Sequence, residues 1–143
     1  MADDDPAADG AQRLETLDRD ECLALLTRHG FLGRLGVIVD GRPEIFPVNY
    51  IADAGAVVFC TADGTKLDAI QHGRPVSFEV DEHEPLHHAG WSVLVRGPAT
   101  VVTDPAELAR LRDGPLHPWV RGARANWIRI EIADISGRRL PRV

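Results

Sequence analysis

Cysteine is scarce in this 143-residue chain, with Cys22 and Cys60 the only two, too few for a disulfide-stapled secreted domain. They fall on a predicted helix and a predicted strand, which points to two reduced, buried thiols. No second ligand sits at metal spacing near either one, so a zinc site is disfavoured. Basic residues are also few: 16 Lys and Arg against 22 Asp and Glu leave a net charge of −6. That argues against non-specific binding to nucleic acid or anionic membranes, which requires clustered cations, while leaving room for one local basic pocket. No apolar run approaches the ~18–20 residues that span a membrane. The opening Met1-Ala2-Asp3-Asp4-Asp5 is acidic without an apolar stretch, so it does not read as a secretory signal, and the expected location is cytoplasmic. Catalytic strings are missing as well: there is no G-x-S-x-G, no H-E-x-x-H and no cysteine in a reactive helix-start setting. An enzyme built this way needs an organic cofactor to carry the chemistry.

What is present reads as one ordinary globular domain, 44% hydrophobic and 27% charged. Residues 1–13 are rich in Ala and Asp, with Pro6 and Gly10, and are expected to be a disordered acidic tail before a folded domain over 14–143. Asp18 and Glu21 form a capping box that starts a helix, with Leu17 and Cys22 as its hydrophobic staple and Gly30 closing it in the left-handed region. Strand signals follow. Phe31 to Val39 is an apolar run ending at the hairpin pair Asp40-Gly41, and the return strand Arg42 to Asp53 carries Pro43 and Pro47. Proline is tolerated only at an edge or bulge, so this strand does something besides pairing. Val57 to Thr61 is the next strand, then a loop, a short helix from Leu67 to His72, and a strand from Arg74 to Asp81.

Residues 82–90 read as a polar loop with three histidines, and Trp91 to Val102 as a long strand with a bulge at Gly97-Pro98. Asp104-Pro105-Ala106-Glu107 is a second capped helix start. Asp113 to Ala125 looks like loop. Asn126 to Ile132 alternates, with Ile128, Ile130 and Ile132 on one face. Six strands, three short helices and no βαβ alternation predict a mostly β, six-stranded antiparallel barrel.

Four segments could carry a site. The loop Thr61-Ala62-Asp63-Gly64-Thr65-Lys66 leaves a strand and opens a helix, so its backbone N–H groups, hydroxyls and lysine could grip an anion. Read alone, it is more often a plain turn with Thr65 as the helix cap. It is not a P-loop, because the upstream glycine spacing is absent. Phe46-Pro47-Val48-Asn49-Tyr50 could offer polar edges and apolar faces to a flat ring, or simply face water. Trp91 and Ser92 start a strand, where a tryptophan is more often core than stacking platform. His83, His87 and His88 invite a metal or haem reading, yet Pro85 and Gly90 favour a solvated loop.

In order and spacing these segments resemble the pyridoxamine 5′-phosphate oxidase-like, FMN-binding split-barrel superfamily. The short actinobacterial-type members of its nitroimidazole-reductase-like branch are the nearest in pattern. The resemblance spans about Leu17 to Leu140. It is carried by Pro47-Val48-Asn49-Tyr50, Val58-Phe59-Cys60-Thr61 with Gly64-Thr65-Lys66-Leu67, Val76-Ser77-Phe78-Glu79-Val80-Asp81, Gly90-Trp91-Ser92-Val93 and Trp127-Ile128-Arg129-Ile130.

The resemblance implies a homodimer of split barrels with FMN at the subunit interface. Lys66, Thr65 and Thr61 would hold the phosphate at Gly64. Pro47, Val48, Asn49 and Tyr50 would line the isoalloxazine, with Glu79 near its rim. Trp91 and Ser92 would complete the site, and Trp127 would come from the partner. Two positions depart from the pattern. Cys60 stands where related chains often have arginine, leaving Lys66 as that segment's charge unless Arg74 substitutes. The C-terminal Arg-x-His string of true B6 oxidases is absent.

The expected function is therefore an FMN-dependent oxidoreductase acting on a small unsaturated, nitro or quinone-like molecule. Alternatives are an F420-binding reductase using Arg121, Arg124 and Arg129, a flavin carrier or sensor, and, more distantly, haem binding through His87 or His88.

Overall fold

The computed structural model describes residues 13–117 and 125–142. Eight strands and three α-helices follow one another: β1 (Glu15–Leu17), α1 (Arg19–His29), β2 (Leu32–Val39), β3 (Arg42–Asp53), β4 (Ala56–Thr61), α2 (Thr65–Ile70), β5 (Pro75–Glu84), β6 (Ala89–Val101), α3 (Pro105–Arg112), β7 (Asn126–Glu131) and β8 (Asp134–Leu140). The six strands expected from sequence, β2 to β7, close on themselves in the order β6-β5-β2-β3-β4-β7, with β7 returning to β6. Every pairing is antiparallel. β8 and β1 extend the sheet from the other side of β6. Two-residue turns with both φ angles positive, Asp40-Gly41 and Ala54-Gly55, join β2 to β3 and β3 to β4, matching the twist of the strands they connect.

The barrel is split at β3. From Arg42 to Asn49 this strand pairs with β2, and from Tyr50 to Asp53 it pairs with β4. Its first half has no partner on its second edge among the described residues, and both prolines lie there, where a missing N–H costs no ladder bond.

Inside, Leu35, Val37, Tyr50, Phe59, Phe78, Val80, Val95 and Ile128 form the main core, and the Tyr50 and Phe78 rings meet edge-on at 4.9 Å. One end is stoppered by α1, whose start carries the full capping box. The Glu21 N–H donates to Asp18 Oδ1 at 2.8 Å and the Asp18 N–H to Glu21 Oε2 at 3.1 Å. Gly30 ends the helix at φ 5°, not in the left-handed region expected for it. The Tyr50 hydroxyl donates to the Leu26 carbonyl at 2.6 Å, tying stopper to barrel.

β4 is buried on both faces because α3 lies over its outer side, where Val58, Val102, Leu111, Leu116 and Trp127 make a second core. Here the capping box at Asp104 is only half made. Asp104 Oδ2 accepts from the Glu107 N–H at 3.1 Å, while the Glu107 carboxylate accepts from Arg129 Nε at 2.8 Å. Asp53, at the end of β3, accepts from Arg110 of α3 at 2.7 and 3.0 Å and from Arg129 of β7 at 2.6 Å.

These two guanidiniums hold the Asp53 carboxyl well below its ordinary range, at about 2, against the opposing effect of burial. A depressed carboxyl stabilises the fold above the unfolded pKa and loses that contribution as pH falls through the folded value. Asp53→Asn is accordingly expected to cost about 2 kcal/mol at pH 7 in urea unfolding, with the gap to wild type narrowing from about pH 4 toward pH 2. A gap that stays constant with pH would show that the charge is not what the arginines use.

Three expectations change. The histidine segment is not a loop: β5 runs through His83 to Glu84, a single 3-10 turn spans Pro85–His87, and β6 begins at Ala89. The alternation was hidden because both sides of this hairpin tip face solvent. Gly97-Pro98 is not a bulge, since the β5–β6 register runs unbroken through it; it is where β6 exchanges β8 for β7. The short helix starts two residues early, at Thr65, and ends at Ile70, with a 3-10 turn at Gln71–Gly73.

Candidate functional site

The unpartnered half of β3, the end of β4, the loop after it and the start of α2 enclose a cleft of about 510 Å³. Its walls are largely apolar: Leu32, Phe46, Val48 and the half-buried Cys60, with Leu116 and Ala125 at one side. Burial pushes the Cys60 thiol up to about 12, so this wall is uncharged. The polar groups converge on one corner, where Thr61, Asp63, Gly64, Thr65 and Lys66 line the cleft.

Lys66 is the only lysine or arginine among the described cleft residues. Its ammonium lies over the Phe46 ring at 4.8 Å, makes no ion pair among the described residues, and is shifted below its usual pKa by burial. A partly desolvated cation without an ion pair among the described residues is a candidate receptor for an anion. Thr65 is the first helical residue rather than the cap. Gly64 occupies the cap position at φ 146° with no atom within 4 Å of where a Cβ would stand, and no side chain caps the helix.

Asn126 was not anticipated from sequence, and it keeps this corner in shape. Its Nδ2 donates to Asp63 Oδ1 at 2.8 Å and lies 3.4 Å from the Thr61 carbonyl oxygen, which pins the loop to β7. Leu32 and His117 also line the cleft without having been singled out, as does Phe46, which opens the segment named around Asn49. No string marks the first two, because strand pairing brings Leu32 opposite Asn49 only in three dimensions.

The cleft thus gathers seven residues named in advance: Pro47, Val48, Asn49, Thr61, Gly64, Thr65 and Lys66. The others stand elsewhere in the chain. Tyr50 points into the barrel and is 1% exposed. Glu79 lies on the outer surface of β5, 3.4 Å from Arg34. Trp91 packs at the stoppered end, edge-on to His29 at 5.3 Å, and Ser92 alternates to the outer face of β6 opposite Asp81. Trp127 is 2% exposed beneath α3. Arg74 is exposed and lies outside the cleft. Arg129 is committed to Asp53 and Glu107, and Arg121 and Arg124 lie outside the described residues. His83, His87 and His88 are exposed along the β5–β6 hairpin tip.

A six-stranded antiparallel barrel, split along one strand and with a largely apolar cleft in the split, defines a split-barrel protein. The chain belongs to the pyridoxamine 5′-phosphate oxidase family, whose profile matches residues 18–139. An uncharacterised protein of Mycobacterium tuberculosis is 35% identical over 135 residues, covering 91% of this chain and 88% of that one. The structure of the FAD binding protein from Mycobacterium smegmatis is similar at 40% identity and a TM-score of 0.77, covering 90% of this chain and 99% of that chain. A putative pyridoxamine 5′-phosphate oxidase from Corynebacterium glutamicum is similar at 34% identity and a TM-score of 0.78, covering 93% and 97%. No helix among the described residues is long and apolar enough to cross a membrane.

Proposed function

We propose that this protein binds a flavin nucleotide in the β3–α2 cleft and serves as a flavin-dependent oxidoreductase on a small molecule. The observation that carries the reading is Lys66, a cation without an ion partner among the described residues at the polar corner of an otherwise apolar slot. A flat ring system with a phosphate tail needs that combination. Phe46, Val48 and Leu32 would bound the ring, Asn49 would stand at its edge, and Thr61, Thr65 and Lys66 would receive the phosphate. The cleft volume lies within the usual range for such ligands, ~300–1,000 Å³. When bound, the flavin supplies hydride or electron transfer, which suits a site without a nucleophile–base pair.

FMN is the part of the ligand these contacts address, and FAD contains the same ring and first phosphate. The 40% identical M. smegmatis protein is named for FAD, which favours the larger flavin as a second reading. Among the described residues nothing in the cleft favours F420, because Arg129, the described one of the three arginines it would use, is engaged in the α3 network.

Leu32, Pro47 and Asn49 carry the cleft lining onto the outer β2–β3 face. We take the functional unit to be a homodimer that closes the cleft, with Ser92 of the outer β6 face approaching from the partner. Apolar side chains on and beside this face support the reading, with Leu32 45%, Ile38 60% and Ile45 71% exposed. The unpaired cysteines are compatible with a cytoplasmic setting. The test is to purify the chain, record its visible spectrum and chromatograph the heat-released cofactor against FMN and FAD. About one flavin per chain is expected; a colourless protein that takes up neither flavin at micromolar concentration sinks the assignment.

A further inference from the structure

Lys66 is the only lysine in the chain, and a carboxylate, Asp63, stands three residues before it. Both side chains line the cleft from one short loop. Three residues of chain span at most about 10 Å, so side chains of this length can reach each other. An ion pair between them is the ordinary outcome for such neighbours, and it would close the corner to any other anion.

The two charges are instead anchored on opposite flanks of β4, which lies between β3 and β7 in the barrel. On the β3 side the Lys66 ammonium lies over the Phe46 ring at 4.8 Å. On the β7 side Asn126 Nδ2 donates to Asp63 Oδ1 at 2.8 Å. Asn126 is itself set by its register position opposite Thr61, the last residue of β4. Two strand spacings, about 10 Å, separate β3 from β7, so each anchor draws its charge away from the other. Asp68, the next carboxylate along, is two residues from Lys66 on α2, a spacing at which helical side chains do not face each other.

The chemistry of the β7 anchor fits this task. A cation in its place would neutralise Asp63 and add a second positive charge beside Lys66. A neutral amide holds the carboxylate by geometry alone and leaves the charges of the corner as they are. We propose that Asn126 is a positioning residue that diverts Asp63 from Lys66, so that the chain's one lysine stays open to an incoming anion. Without that amide, Asp63 swings to Lys66 and competes with the anion for it.

The inference rests on the flavin reading above for the identity of the anion, and the experiment separates the two. The full chain is labelled with carbon-13 lysine, so that Lys66 gives the only lysine side-chain signals and its titration is followed by NMR without cofactor. In Asn126→Ala the Lys66 titration is expected to move to higher pH than in wild type, because the released Asp63 pairs with it. Adding Asp63→Asn returns it. FMN affinity is expected to follow, falling about three- to tenfold in Asn126→Ala and recovering in the double variant. Riboflavin, which lacks the phosphate, should bind all three proteins alike. Should the alanine variant fold poorly, Asn126→Asp keeps the side-chain size, replaces attraction by repulsion and gives the same signature, again relieved by Asp63→Asn. A Lys66 titration unmoved in these variants, or an FMN loss that Asp63→Asn does not restore, overturns the diversion and makes Asn126 a prop of the loop. A lysine titration that shifts as expected in a protein that binds no flavin upholds the diversion and overturns the flavin reading alone.

Discussion

Replacing Lys66 with alanine is expected to lower flavin affinity about ten- to a hundredfold, the cost of one lost charge-assisted contact. The thermal unfolding midpoint of the cofactor-free protein should stay close to wild type. The two halves of this expectation have one cause. Lys66 makes no ion pair among the described residues, and its one recorded partner is the face of Phe46. Removing it strands no carboxylate and opens no void in the core. Retaining Lys66 unpaired is mildly unfavourable, as its lowered pKa indicates, so the residue contributes only when an anion arrives.

The neutral thiol of Cys60 and the engaged Asp63 offer no second cation to share the load. Lys66→Arg should recover part of the affinity. Equilibrium titration with FMN, followed by flavin fluorescence, checks the series. Unchanged affinity in the alanine variant removes the phosphate from this corner.

A second large effect is expected far from the cleft. Gly97→Ala should destabilise the fold by roughly 3 kcal/mol, the upper end of overpacking costs, and lower the yield of folded protein. A Cβ at position 97 would collide with the Glu131 carbonyl oxygen and lie 3.2 Å from the Ala133 amide nitrogen. Both obstacles are backbone, so no rotamer change relieves them. The site is also the crossing at which β6 leaves β8 for β7, and the Ala133 N–H donates to the Arg96 carbonyl there at 3.0 Å. Urea unfolding of the variant beside wild type measures the cost. A loss below about 0.5 kcal/mol, the scale of ordinary surface changes, means that the β7–β8 connection yields easily and the close approach is not a constraint.

Most of the barrel was legible in the sequence. The Asp18–Glu21 box, the two β-turns and the alternation of Ile128 and Ile130 each specify local geometry through a short-range rule, and each element appears where that rule puts it. β8 left no such trace. Its residues Asp134-Ile135-Ser136-Gly137-Arg138-Arg139-Leu140 lack a regular apolar face, and what holds it is a close approach. At Gly137 a Cβ would stand 2.7 Å from Cys22 Sγ of α1 and 3.1 Å from Leu17 Cδ1. That requirement for smallness is invisible until helix and strand are side by side. β1, three residues long, is below the length at which alternation means anything.

The cleft shows the same division. The strings around Asn49 and Lys66 could be named from order and spacing, since each is contiguous. Asn126 could not, because its amide matters only through a pairing of β7 with β4 that joins residues 63 positions apart. Tyr50 illustrates the reverse error of a contiguous string. It adjoins Asn49, but strand alternation sends its ring inward to Phe78 and its hydroxyl to α1.

The return of β7 to β6 has one more consequence. Each of the six barrel strands has neighbours on both sides over at least part of its length, and β8, which hangs outside the ring, is covered along Gly137–Arg139 by β1. Apart from the first half of β3, ring closure and that short covering strand leave little unpaired backbone among the described residues to template growth by another chain. Deleting residues 1–16, which keeps the buried Leu17, should therefore reveal itself less in melting temperature than in shelf life. Concentrated protein is expected to form thioflavin-positive aggregates through the uncovered edge of β8, while the barrel behind it stays folded.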